Sequence, residues 1–105
     1  MANQSIIKHI SDYIRFLNDH NIRIDEAFLY GSYSRDDHST GSDIDVLVVS
    51  RELDEFNDQL IGKIWRLNKQ FDEKIEPLVV SKKKFLKDDV SPIFITIKKE
   101  GVQIS

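Results

Sequence analysis

The chain has 105 residues and a mass of 12.2 kDa, and 40% hydrophobic with 31% charged residues excludes a disordered or fibrous chain and predicts one domain, residues 1–105. A formal net charge of -3 and a pI near 5.5 argue against a surface that neutralises many phosphates, so no direct nucleic-acid binding is expected, while a small anion held through metal ions stays compatible. The absence of cysteine removes disulfides, thiolate nucleophiles and cysteine zinc sites; with no apolar run of membrane-spanning length and no basic-then-apolar leader, a cytoplasmic protein is expected.

Ile6, Ile7, Ile10, Ile14 and Leu17 recur at three- and four-residue steps with Lys8, Asp12, Arg15 and Asp19 between them, which predicts an amphipathic helix ending over residues 18–21. Ala27 to Tyr30 form a short apolar run stopped by Gly31, a first strand. A polar loop from Ser32 to Ser42 separates it from Ile44 to Val49, a largely buried second strand. Leu53, Phe56, Leu60, Ile64, Leu67 and Phe71 keep a helical step over nearly five turns, the longest helix expected.

A third strand is predicted from Lys74 to Val80, and Ser81 with Lys82 to Leu86 suggests a brief helical turn. Residues 92–100 carry opposed signals. Ser91-Pro92 is a good helix start and Gly101 a good stop, whereas the β-branched run Ile93, Ile95, Thr96 and Ile97 argues for a strand. The alternation of strands and helices predicts an α/β fold, a small mixed sheet of three to four strands with helices packed against it.

Asp43 and Asp45 stand two apart at the start of the second strand, so both carboxylates project from one face, which Leu47 and Val49 continue; Ile44, Val46 and Val48 face the other way. Two like charges forced together call for a hard cation, and magnesium is commonly held by one or two carboxylates plus substrate phosphates. A solvated strand start is the bland alternative for an isolated Asp-x-Asp. Gly31-Ser32, directly after the first strand, adds a second signal, because a glycine there lets backbone N–H groups open toward a phosphate and the serine hydroxyl adds a donor.

Gly-Ser, ten intervening residues and Asp-x-Asp together place a phosphate cradle beside a metal-binding pair. The segment from Gly31 to Ser50 resembles the signature of the DNA polymerase beta-like nucleotidyltransferase superfamily, specifically its minimal nucleotidyltransferase branch. The resemblance implies a nucleotidyltransferase fold, two Mg2+ ions held by Asp43, Asp45 and a third carboxylate, and ATP as substrate. Glu76 occupies the third acid's place, where the family usually has aspartate; it alternates with Ile75 and Pro77 and joins the pair if the strands are neighbours. Arg35 matches a family arginine and would reach phosphates held by Gly31 and Ser32, although Ser34 and Asp36 depart from the family's small residue and glycine.

The resemblance also implies a partner. Stand-alone members are commonly paired with a HEPN-domain toxin and act as its antitoxin by attaching AMP to a tyrosine. Two other expectations stand beside this one, a non-catalytic antitoxin that neutralises by binding, and a transferase acting on a small molecule. His38 is read as solvated, Lys82 to Lys84 as an exposed basic run, and Trp65 as core or edge packing.

Overall fold

A computed structural model describes residues 4–31, 43–54 and 57–104. The chain runs α1 (Gln4–Asp19), β1 (Glu26–Tyr30), β2 (Ile44–Ser50), a 3-10 turn (Arg51–Leu53), α2 (Asp58–Phe71), β3 (Ile75–Ser81), α3 (Lys82–Lys87), α4 (Pro92–Glu100) and β4 (Val102–Gln103). The strands form one mixed sheet in the order β3-β2-β1-β4, with β2 parallel to β3 and β1 antiparallel to both β2 and β4.

α1 stops where its sequence pattern fades, through a left-handed residue. Asn21 adopts a φ of 66°. Its N–H bonds the Asn18 carbonyl while the Ile22 N–H reaches back to Leu17, each at 3.1 Å. That pairing satisfies the last carbonyls of the helix, and asparagine tolerates the conformation better than most residues.

The stretch predicted as one helix from Leu53 to Phe71 is two elements. Leu53 belongs to the 3-10 turn, and α2 starts only after Asn57, whose side chain caps the Leu60 N–H at 3.1 Å. Phe56 lies outside the described residues. The capping asparagine resets the helix start, so apolar periodicity alone overestimated its length. In residues 92–100 the helix signals prevail over β propensity, because Phe94 and Ile97 pack inward at one helical spacing. Ser91 holds the cap position without capping; its hydroxyl donates instead to Asp88 at 2.6 Å. The two-residue β4, unforeseen in the sequence, extends the sheet to four strands.

Two apolar layers close on the sheet. Ile10, Tyr13, Ile14 and Leu17 of α1 and Leu60, Ile64 and Leu67 of α2 pack against Ala27, Leu29, Ile44, Val46, Val48 and Ile75. On the opposite face, Phe85 of α3 and Phe94 and Ile97 of α4 cover Leu47, Val49 and Val80. No helix among the described residues is long and apolar enough to cross a membrane.

Candidate active site

The register settles how the acids of β2 and β3 stand to each other. Asp45 pairs with Glu76 across the parallel strands and with Tyr30 across the antiparallel ones. Neighbouring strands lie about 4.8 Å apart and residues in register share a face, so Tyr30, Asp45 and Glu76 form a row across three strands. Asp43 lies one residue before β2, exposed beside this row; Asp45 is half-buried and Glu76 exposed. The row stands at one end of the face that α3 and α4 pack on: Phe85, Phe94 and Ile97 cluster with Leu47, Val49 and Val80 farther along the strands, and Tyr30 packs half-buried against that cluster.

Gly31 closes β1 with a φ of 75°, a left-handed conformation that favours glycine. A side chain there would collide with the Asp45 carboxylate, and would also crowd its Cγ at 3.3 Å and its Cβ at 3.4 Å. The glycine foreseen as a place for a phosphate to approach is favoured by its own left-handed backbone, with the Asp45 carboxylate packed against it. Ser32 and Arg35, expected to bind phosphate, lie outside the described residues, as does His38.

Burial and the neighbouring Asp43 carboxylate both raise the pKa of Asp45, because each disfavours its charged form. Tyr30 is affected in the same way. Burial, then Asp45 and Glu76, push its phenol up to about 12, which keeps it a neutral hydrogen-bond donor. Tyr30 was not singled out in the sequence analysis; the signal that could have found it is its position, directly before Gly31 on the face that the acids share.

The start of β3 is held by a compact network. The Lys74 N–H donates to Asp72 Oδ1 at 2.9 Å, the other Asp72 oxygen meets His9 Nε2 at 2.8 Å, and Asn68 Nδ2 donates to the Ile75 carbonyl at 2.8 Å. The Ile44 N–H then donates to the Lys74 carbonyl at 2.9 Å, which locks the β2 and β3 starts in register two residues ahead of Glu76. Burial of Asp72 favours its neutral form, but the bonds from Lys74 and His9 outweigh that and hold its pKa low.

Among the described residues no three carboxylate or imidazole groups stand close enough to hold a metal ion by themselves. Asp43 and Asp45 nevertheless fit magnesium, which needs only one or two carboxylates and completes its shell with water and phosphate oxygens. Glu76 stands across from Asp45 in the strand register.

The mixed four-stranded sheet with helices on both faces is an α/β nucleotidyltransferase-like fold. A candidate nucleotidyltransferase from Sulfolobus solfataricus superposes with a TM-score of 0.61 at 16% identity, over 92% of this chain and 77% of that one. A toxin-antitoxin crystallised with AMP-PNP gives a TM-score of 0.60 at 20% identity, over 90% of this chain and 72% of that one. A mutant of the toxin-antitoxin MntA-HpeT gives 0.58 at 19% identity, over 90% of this chain and 70% of that one. At these identities the likeness is one of fold. The chain belongs to the nucleotidyltransferase domain family, whose model matches residues 7–103. No curated protein matches the sequence.

Proposed function

We propose that this nucleotidyltransferase moves AMP from ATP to a hydroxyl of a protein partner, a tyrosine of a HEPN-domain toxin, and thereby acts as an antitoxin. The observation that carries the reading is the register that sets Glu76 opposite Asp45, with Asp43 beside them and Gly31 packed against the Asp45 carboxylate. The toxin-antitoxin neighbours, one of them crystallised with AMP-PNP, support the choice of partner and nucleotide.

Asp43, Asp45 and Glu76 would hold two magnesium ions, which when bound neutralise charge on the triphosphate and on departing pyrophosphate. The chain's own groups divide the remaining work. Gly31, Ser32 and Arg35 position the triphosphate. Glu76, the most exposed position of the row, accepts the proton of the incoming hydroxyl.

The test incubates the protein with magnesium, each nucleoside triphosphate and the HEPN-domain partner and measures intact masses. An AMP adduct on the partner, lost on Asp43→Ala or Asp45→Ala, is expected. Full neutralisation of the toxin by those variants without an adduct would instead establish a non-catalytic antitoxin, and transfer to an aminoglycoside or a free nucleotide would establish a small-molecule transferase.

A further inference from the structure

The buried stripe of α2 holds Leu60, Ile64, Leu67 and one polar residue, Asn68, which is 2% exposed. Asn68 Nδ2 donates to the Ile75 carbonyl at 2.8 Å and to the Asp72 carbonyl at 3.4 Å, so both its hydrogens go to the turn that opens β3. Carbonyls only accept, which fixes the amide in this orientation. Its Oδ1 is left buried with no hydrogen-bond partner among the described residues. An apolar residue of similar volume would avoid that unmet acceptor, and what it could not supply is the bond to Ile75.

The bonded carbonyl belongs to the peptide that joins Ile75 to Glu76. Ile44 pairs with Ile75 in the parallel ladder, which turns the N–H of that same peptide, the Glu76 N–H, toward Ile44. The peptide is thus gripped from both sides, by β2 at its N–H and by Asn68 at its carbonyl. Among the described residues β3 has no strand on its outer side, so Asn68 supplies there the bond that a further strand would give.

The plane of this peptide sets ψ of Ile75 and φ of Glu76, and with them the direction in which the Glu76 side chain leaves the strand. On the neighbouring strand, the Ile44 N–H that bonds the Lys74 carbonyl at 2.9 Å belongs to the peptide joining Asp43 to Ile44. The acids of both strands therefore hang from one hydrogen-bonded unit, and Asn68 closes its outer side.

We propose that Asn68 is a positioning residue for Glu76: by fixing the peptide before it, Asn68 holds the Glu76 carboxylate on the side of Asp45 as a metal ligand. The inference rests on the transferase reading for Glu76 as a ligand and deepens it by naming what aims that ligand. Its test reads metal binding and not turnover. Manganese(II) chloride is titrated into the full chain, and the bound ion is followed by loss of the free-ion paramagnetic resonance signal.

Glu76→Gln and Asn68→Leu are each expected to weaken manganese binding about tenfold, and the double variant no more than Glu76→Gln alone, because Asn68 acts through the carboxylate. A role in the fold alone would lower affinity equally in both backgrounds, and that result would overturn the proposal. So would native affinity in a folded Asn68→Leu. Asn68→Ser, which leaves room for a water to serve the Ile75 carbonyl, should recover part of the loss. If neither variant folds, linkage gives the same question to the unaltered chain: magnesium chloride should slow hydrogen exchange of the Asn68 side-chain amide, and no slowing would overturn the proposal. Unchanged affinity in Glu76→Gln would remove Glu76 as a ligand and the proposal with it. Coupled losses of manganese binding without any nucleotidyl transfer would remove the transferase reading and leave Asn68 aiming a metal ligand.

Discussion

The sheet face beneath α1 and α2 is apolar across three strands, from Ala27 and Leu29 through Ile44, Val46 and Val48 to Ile75, and buried throughout. The opposite face is apolar only where α3 and α4 cover it, and its other end carries Tyr30, Asp45 and Glu76. One strand, β2, serves both. Its even-numbered residues are core, while its odd-numbered ones change from acid to aliphatic within two positions. The contrast shows how so small a domain affords a site: one closed face supplies stability, and half of the other is left for polar chemistry.

If the division is right, substitutions on the two faces should separate activity from stability. The largest effect expected is on the open face. Asp45→Asn should cost about a thousandfold in nucleotidyl transfer, measured as adduct formed per unit time. The same change should raise the melting temperature by about a few degrees, because it removes a charge held at a raised pKa beside Asp43. For an acid with a raised folded pKa the stabilising contribution is present below the unfolded value and lost as pH rises through the folded one, so the gain should vanish at low pH.

Ile64→Ala tests the closed face. Ile64 is fully buried against the sheet, and truncation should cost about 3 kcal/mol in denaturant unfolding, with activity per folded molecule preserved. A comparable loss of transfer rate at full folding would erase the distinction between the faces.

Gly31→Ala should fall between them, costing about 1 to 2 kcal/mol for the left-handed backbone and lowering activity as well, because the new methyl displaces the Asp45 carboxylate. An unchanged rate would mean that the exact placement of Asp45 is unimportant.

The smallest effect concerns the far end of the sheet. Asp25 is buried, which disfavours its charge, but hydrogen bonds from the Arg51 N–H at 2.7 Å and its Nε at 3.0 Å prevail and hold the pKa low. A lowered folded pKa gives stability that is present above the unfolded value, about 3.9, and lost as pH falls through the folded one. Asp25→Asn should slightly flatten the acid limb of a melting-temperature profile while leaving transfer at neutral pH unchanged.

Much of this was legible in the chain. The helical step from Ile6 to Leu17, the buried run of β2 and the alternation that puts Asp45 on the face of Leu47 and Val49 follow from local periodicity, which backbone geometry fixes without reference to distant residues. The helix start at Asn57 and the helix over residues 92–100 were less legible, because competing local signals there are settled by capping and by what the segment packs against. Ser32 and Arg35, read from the motif, remain proposals alongside the roles of the acids.

The sequence by itself determined that two carboxylates stand two apart at the start of a buried strand, that a glycine precedes them, and that the chain builds a small α/β sheet. Only the tertiary structure decided that β3 lies beside β2 in a register opposing Glu76 to Asp45, that Tyr30 completes the row, and that Gly31 packs against Asp45. Strand order and register join Phe28 to Gln103, 75 positions on, and set Tyr30 in one row with Glu76, 46 positions on. They depend on which apolar faces close against one another across the whole molecule, and no local pattern carries that information.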